Sequence, residues 1–214
     1  MSLIESLKAD IQAHLQDAES GHDWFHVERV WKNAKLIGSQ EQVDMHVVEL
    51  AALLHDIADW KFHNGDENIG PKTARLFLEK YAVEEDVILH VCEIILTMAY
   101  KGAGVSTTMR TKEGEVVQDA DRLDAIGAIG IARTFSYGGH KNRLMYDSDH
   151  PPVLHQTKEA YINNVSPTIN HFYEKLLLLK ERMNTQTAKK IAQGRHEYME
   201  GFLKQFFAEW NGEA

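Results

Sequence analysis

The chain has 214 residues, 43% hydrophobic and 26% charged, a composition that excludes a disordered segment and fits about one globular domain of the usual roughly 100–200 residues. Its formal net charge of −9 excludes a basic grip on a nucleic-acid polymer, which needs a positive stripe along the phosphate backbone. No stretch reaches the roughly 18 apolar residues of a membrane span, and the single Cys92 excludes an intrachain disulfide, so a cytoplasmic protein is expected.

Four prolines and little alternating apolar pattern predict an all-α protein, one domain over residues 1–214. Leu3, Ile4, Leu7, Ile11 and Leu15 recur at helical spacing and predict a first helix over 2–18. Asp23 fits the N-cap of a second, with Val27, Val30, Trp31, Ala34 and Ile37 inward and Gly38 closing it. Asp44 opens a third, almost uniformly apolar toward its end (Val47, Leu50, Ala51, Leu53, Leu54), as a central buried helix would be. Residues 57–68, with Asp59 and Lys61, read as a connecting segment with polar side chains free to face a cleft. Pro71 opens a fourth helix in its first turn, and 84–98 form a fifth. Lys101–Thr108 is the longest break in helical pattern and reads as a mobile loop or lid; it is not a P-loop, because no Gly-Lys-Ser/Thr follows at the required spacing. Helix resumes from Glu113, and Gly127 and Gly130 permit close packing on the core. Tyr137–Arg143 begins a second irregular region that ends at Pro151-Pro152. Two helices are predicted to finish the chain, about 155–181 with an interruption near Pro167, and about 185–210. The run Leu176–Leu179 is core or partner contact.

The apolar third helix ends in His55-Asp56, an imidazole and a carboxylate that are costly to bury unpaired. Partners are available at His26 and at Asp121, with Asp119 and Asp124 competing for the latter place. A divalent ion accepts imidazole nitrogen and carboxylate oxygen, so two His and two Asp make a site that leaves coordination positions open. The same four side chains could instead form a hydrogen-bonded structural cluster. His22-Asp23 is a second His-Asp pair, and Asp23 is explained by the helix cap.

His26, then His55-Asp56, then Asp121 within Asp-Ala-Asp-Arg-Leu-Asp resemble the H…HD…D signature of the HD-domain metal-dependent phosphohydrolases. The segments Gly-His-Asp-Trp-Phe-His-Val-Glu-Arg-Val and Leu-His-Asp-Ile-Ala-Asp-Trp-Lys-Phe look like the small stand-alone bacterial branch, the YedJ/YpgQ-like proteins. The motifs cover about 20–145; the C-terminal helices, about 155–210, are similar only in general. The resemblance implies an HD-domain helical bundle with additional C-terminal helices, and it selects Asp121 over its neighbours. It implies one divalent metal ion, manganese first, with magnesium, cobalt, nickel, iron(II) or zinc as alternatives. It further implies hydrolysis of a phosphoester or phosphoanhydride, with deoxynucleoside triphosphate cut to monophosphate and pyrophosphate as the leading reaction. The alternatives are a nucleoside monophosphate phosphatase and a non-catalytic ligand-sensing module, against which the intact quartet argues.

A metal centre that activates water needs no protein nucleophile, and none is evident; Cys92 reads as a small apolar residue. Asp59 is the first candidate for orienting or deprotonating the attacking water, with Lys61 beside it and Glu93 as the alternative carboxylate. Phosphoryl transfer needs cations where charge builds up, which nominates Lys61 and Arg122, then Arg133, Lys141 and Arg143 for more distal phosphates. His22, four residues before His26, is a further candidate for phosphate contact. The expected partner is a small phosphorylated molecule, and the C-terminal helices offer either core or the surface of a homodimer.

Overall fold

The computed structural model describes residues 2–16, 23–58, 66, 68–99, 107–155, 157 and 165–214. Among them are nine α-helices, two short 3-10 turns and no strand, the all-α architecture the pattern predicts. No helix among these residues is long and apolar enough to cross a membrane. They form two compact units: one holds the described residues up to Ala99 together with Thr107–Asp121, the other runs from Arg122 to Ala214.

In the first unit, α1 (Leu3–His14) starts where the Ser2 hydroxyl accepts from the Glu5 amide, and it buries Leu7 and Ile11. Helix α2 (Trp24–Gly38) buries Val27, Val30, Trp31, Ala34 and Ile37, one stripe at helical period. Helix α3 (Met45–Leu54) is capped by Asp44, whose carboxylate accepts from the His46 amide, and Val47, Val48 and every residue from Leu50 to Leu54 are buried. Packed against both α2 and α5 (Glu85–Thr97), it has no face left for water from Leu50 onward, which explains why that half is uniformly apolar while His46 and Glu49, nearer its start, keep some exposure. Helix α4 (Ile69–Lys80) begins two residues before Pro71, which still occupies the first turn, where its missing N–H costs nothing. Helix α6 (Lys112–Asp124) continues from this unit into the next. One turn before Asp121, the buried Gln118 side chain donates to the Met98 and Thr107 carbonyls at 3.1 and 2.8 Å. Of the predicted loop 101–108, only Thr107 and Thr108 fall within the described residues.

The second unit departs further from the sequence expectation. Helix α7 (Gly127–His140) continues through Tyr137–His140, which were expected to be irregular, and the irregular segment starts at Lys141. Gly138 is a packing residue rather than a breaker: a Cβ there would lie 2.2 Å from the Thr168 hydroxyl oxygen. The predicted helix over 155–181 is replaced, where described, by a short α8 (Asn170–Glu174) and 3-10 turns at Leu176–Leu178 and Lys180–Arg182. Leu176 and Leu179 are buried and the two leucines between them are not, a three-residue period that suits 3-10 geometry better than an α-helix. Helix α9 (Gln186–Trp210) is capped by Thr185 and brings Phe202 and Phe206 against Phe135, with Phe172 stacked on Phe202 at 5.7 Å.

The corner between α6 and α7 requires glycine twice. Gly127 has φ +77°, and a Cβ at Gly130 would sit 2.2 Å from the Ala125 carbonyl oxygen. Gly130→Ala is therefore expected to cost about 1–3 kcal/mol by overpacking. Gly201→Ala, in α9 with open space around it, should instead stabilise by about 0.5–1 kcal/mol, and urea unfolding of both variants checks the contrast.

His171, in α8, supplies a pH dependence. Loss of hydration, reinforced by Lys175 and Arg143, holds its imidazole down at about 3. The unfolded chain takes up that proton near the ordinary value of about 6.5 while the folded chain does not, so stability falls as pH drops below it. Between pH 6.5 and 5 the wild type should lose about 1–2 kcal/mol more than His171→Gln in urea unfolding.

Candidate metal centre

Three helix ends deliver the predicted donors. Helix α2 begins where the Asp23 carboxylate accepts from the His26 amide at 2.9 Å, so His26 is held in the first turn, and its side chain is 2% exposed. Helix α3 ends at Leu54, and His55 follows as its C-cap with helical backbone angles, which turns His55 and Asp56 off the end of the helix. His55 Nδ1 lies 2.9 Å from the Ala52 carbonyl oxygen. A carbonyl only accepts, so the proton is assigned to Nδ1 and the Nε2 lone pair faces the site. Asp121 is displayed by the last turn of α6.

The four polar atoms converge. His26 Nε2 lies 3.2 Å from His55 Nε2, 3.3 Å from Asp56 Oδ2 and 3.6 Å from Asp121 Oδ1. His55 Nε2 lies 3.7 Å from the same Asp56 oxygen and 4.0 Å from the same Asp121 oxygen. Donors placed about 2.0–2.2 Å from one ion stand about 3–3.5 Å apart when adjacent and up to about 4.2 Å apart when opposed. The separations among His26, His55 and Asp56 fit a single ion. His26, His55 and Asp56 already form a group able to hold one, and Asp121 Oδ1 stands within 4.0 Å of both imidazoles. The donor set is the mixed nitrogen and oxygen type that suits manganese, iron, cobalt, nickel or zinc, and two carboxylates balance a divalent charge.

The remaining predicted site residues fare differently. His22, Asp59 and Lys61 lie outside the described residues. Glu93, on α5, pairs with Arg110 at 3.0 Å. Arg122 is 7% exposed and donates to the Arg182 carbonyl. Arg133 donates to the buried Asp124 carboxylate at 2.6 Å. Lys141 and Arg143 each stand 5.6 Å from the Tyr137 ring, beyond the C-terminal end of α7. Cys92 is half-buried and donates to the Pro71 carbonyl at 3.3 Å, and burial pushes its thiol up, as expected of a packing residue. Sequence reasoning missed the Ala52 carbonyl that orients His55, because a backbone acceptor has no side-chain signature.

Comparison with known proteins places this geometry in a family context. Residues 24–126 match the model of the HD domain, a span that contains all four donors. The chain is 38% identical over 209 residues to the YpgQ protein of Bacillus subtilis, covering 94% of this chain and 90% of that one. The crystal structure of a Bacillus thuringiensis HD-superfamily hydrolase is 47% identical, with a TM-score of 0.76 over 97% of this chain and 96% of that one. Bacillus subtilis YpgQ in complex with ADP superposes with a TM-score of 0.75 at 32% identity, over 99% of this chain and 100% of that one.

The Asp23 cap gives a direct test of how the first donor is held. Asp23→Ala is expected to cost about 1 kcal/mol in urea unfolding, and Asp23→Asn, which still accepts from the His26 amide, much less.

Proposed function

The chain belongs to the HD superfamily of hydrolases, metal-dependent phosphohydrolases in kind, and from that premise we propose that it is a nucleotide pyrophosphohydrolase. The substrate is a deoxynucleoside triphosphate and the products are the monophosphate and pyrophosphate. Water oxygen bonds to the α-phosphorus, the bond from that phosphorus to the bridging oxygen breaks, and its electron pair leaves with pyrophosphate while water gives up a proton.

The observation that supports this reading is the convergence of Asp56 Oδ2 and Asp121 Oδ1 on the facing Nε2 atoms of His26 and His55, each oxygen within 4.0 Å of both nitrogens. In our reading these four side chains hold one divalent ion, manganese in the cell. When bound, such an ion lowers the pKa of water and polarises a phosphoryl oxygen. The protein's own part is to fix the donors, to leave the more exposed Asp121 side open, and to supply a carboxylate that orients the water. Asp59, three residues after Asp56, is that carboxylate, and Lys61 meets the phosphate charge. The nucleotide class is supported by a relative, since YpgQ of Bacillus subtilis crystallises with ADP.

A nucleotide panel followed by phosphorus NMR tests the reaction. Monophosphate with pyrophosphate is expected; orthophosphate alone would replace this reading with a phosphatase, and no turnover with any of the six metals would replace it with a ligand-sensing module. Loss of partners outside a metal's own ligands costs about 10–100-fold, so His55→Ala and Asp121→Ala should lose more than that in activity, and elemental analysis should find the ion gone from both.

A further inference from the structure

The last turn of α6 is held by guanidinium groups from two other helices. The Leu123 carbonyl accepts from Arg195 of α9 as well as from the Ile126 amide at 3.3 Å. Arg133 of α7 donates to the Asp124 carbonyl at 3.4 Å and to its carboxylate at 2.6 Å. The stem of Arg195 lies along Gly127, where a Cβ would come 3.0 Å from its Cβ and Cγ. All of these residues belong to the second unit. Leu123 and Asp124 are buried, and the final carbonyls of a helix have no partner within it. The Ile126 amide gives the Leu123 carbonyl one partner from the following turn, and Arg195 adds a second, charged donor from 72 residues away in sequence.

Asp121 lies two residues before Leu123 on the same helix. Its side chain is 38% exposed, against 2% for both imidazoles and 19% for Asp56, so packing around the side chain does least to hold this donor. Its position depends instead on the backbone beneath it. A metal donor has to stand within about 0.5 Å of its working place.

We propose that Arg195 is a positioning residue for Asp121: by holding the Leu123 carbonyl it fixes the last turn of α6 and with it the fourth donor of the metal centre. The proposal rests on reading the quartet as a metal centre. It gives α9 a part in metal affinity without any contact to the ion. Arg133 secures the next carbonyl and pairs with the Asp124 carboxylate, whose charge Arg195 also faces.

The test uses the full chain and cobalt(II) alone, followed by calorimetry and by visible d–d absorption at a temperature where near-UV circular dichroism shows every variant folded. Arg195→Met keeps the stem over Gly127 and removes the donors; it should bind cobalt about 10–100-fold more weakly, with an altered spectrum. Arg195→Lys, with a compact ammonium in place of the fork, should recover part of the affinity. Leu203→Ala, on the same helix and 5% exposed, should lower the melting temperature while leaving affinity and spectrum unchanged. Wild-type affinity and spectrum in Arg195→Met, or an equal loss of affinity in Leu203→Ala, would overturn the proposal. If Arg195→Met does not fold, Arg195→Lys decides, weaker binding than Leu203→Ala supporting the role and equal binding refuting it. Asp121→Asn separates the two levels of the argument: cobalt binding as tight as wild type there would sink the metal-centre reading itself.

Discussion

Two imidazoles and two carboxylates cannot be brought to one point of a protein without something that repays their lost hydration, and this constraint governs the arrangement around His26 and His55. A divalent ion meets it, provided that each donor arrives with a lone pair free and the correct side facing in. The structure brings the four side chains together at helix ends rather than along helix faces. His26 sits in the first turn of α2, His55 and Asp56 follow the last turn of α3, and Asp121 belongs to the last turn of α6. Helix C-termini carry partial negative charge, so α3 and α6 add to the attraction for a cation, while the acidic cap at Asp23 offsets the opposite sign at the start of α2.

Helix ends are also where backbone groups lack partners, and this couples the donors to capping chemistry. The Asp23 carboxylate that starts α2 accepts from the amide of one of the four residues, and the buried Ala52 carbonyl near the end of α3 accepts from Nδ1 of another. Groups that a helix must satisfy in any case are thus used to aim the side chains.

Much of this was legible in the chain itself. Asp23 and Asp44 were readable as caps because an acceptor was needed where apolar periodicity began, and α1, α2, α4 and α5 follow stripes that one helical face can bury, whereas α3 is apolar nearly all round toward its end. His55-Asp56 stood out because polar residues at the end of an apolar run have to be explained, while Asp121 was selected over Asp119 and Asp124 by the resemblance to the HD-domain signature. The C-terminal third was less readable for identifiable reasons. Gly138-Gly139 looked like a break, but Gly138 is helical so that Thr168 can approach. Leu176–Leu179 read as core or partner contact within a long helix, and only the two outer leucines are buried, on 3-10 turns. Arg195 gave no signal, since a charged side chain whose acceptor is a distant carbonyl resembles any solvated helix residue.

The bond from His55 Nδ1 to the Ala52 carbonyl has a consequence for how this protein can change over time. The acceptor belongs to the main chain three residues earlier, so its position comes with helical geometry and is encoded by no particular side chain. A ligand oriented by a carboxylate can be misdirected by one codon change in its partner. Here genetic drift at position 52 is limited by packing alone, because any residue that keeps the helix and fits the buried space also keeps the imidazole in its tautomer.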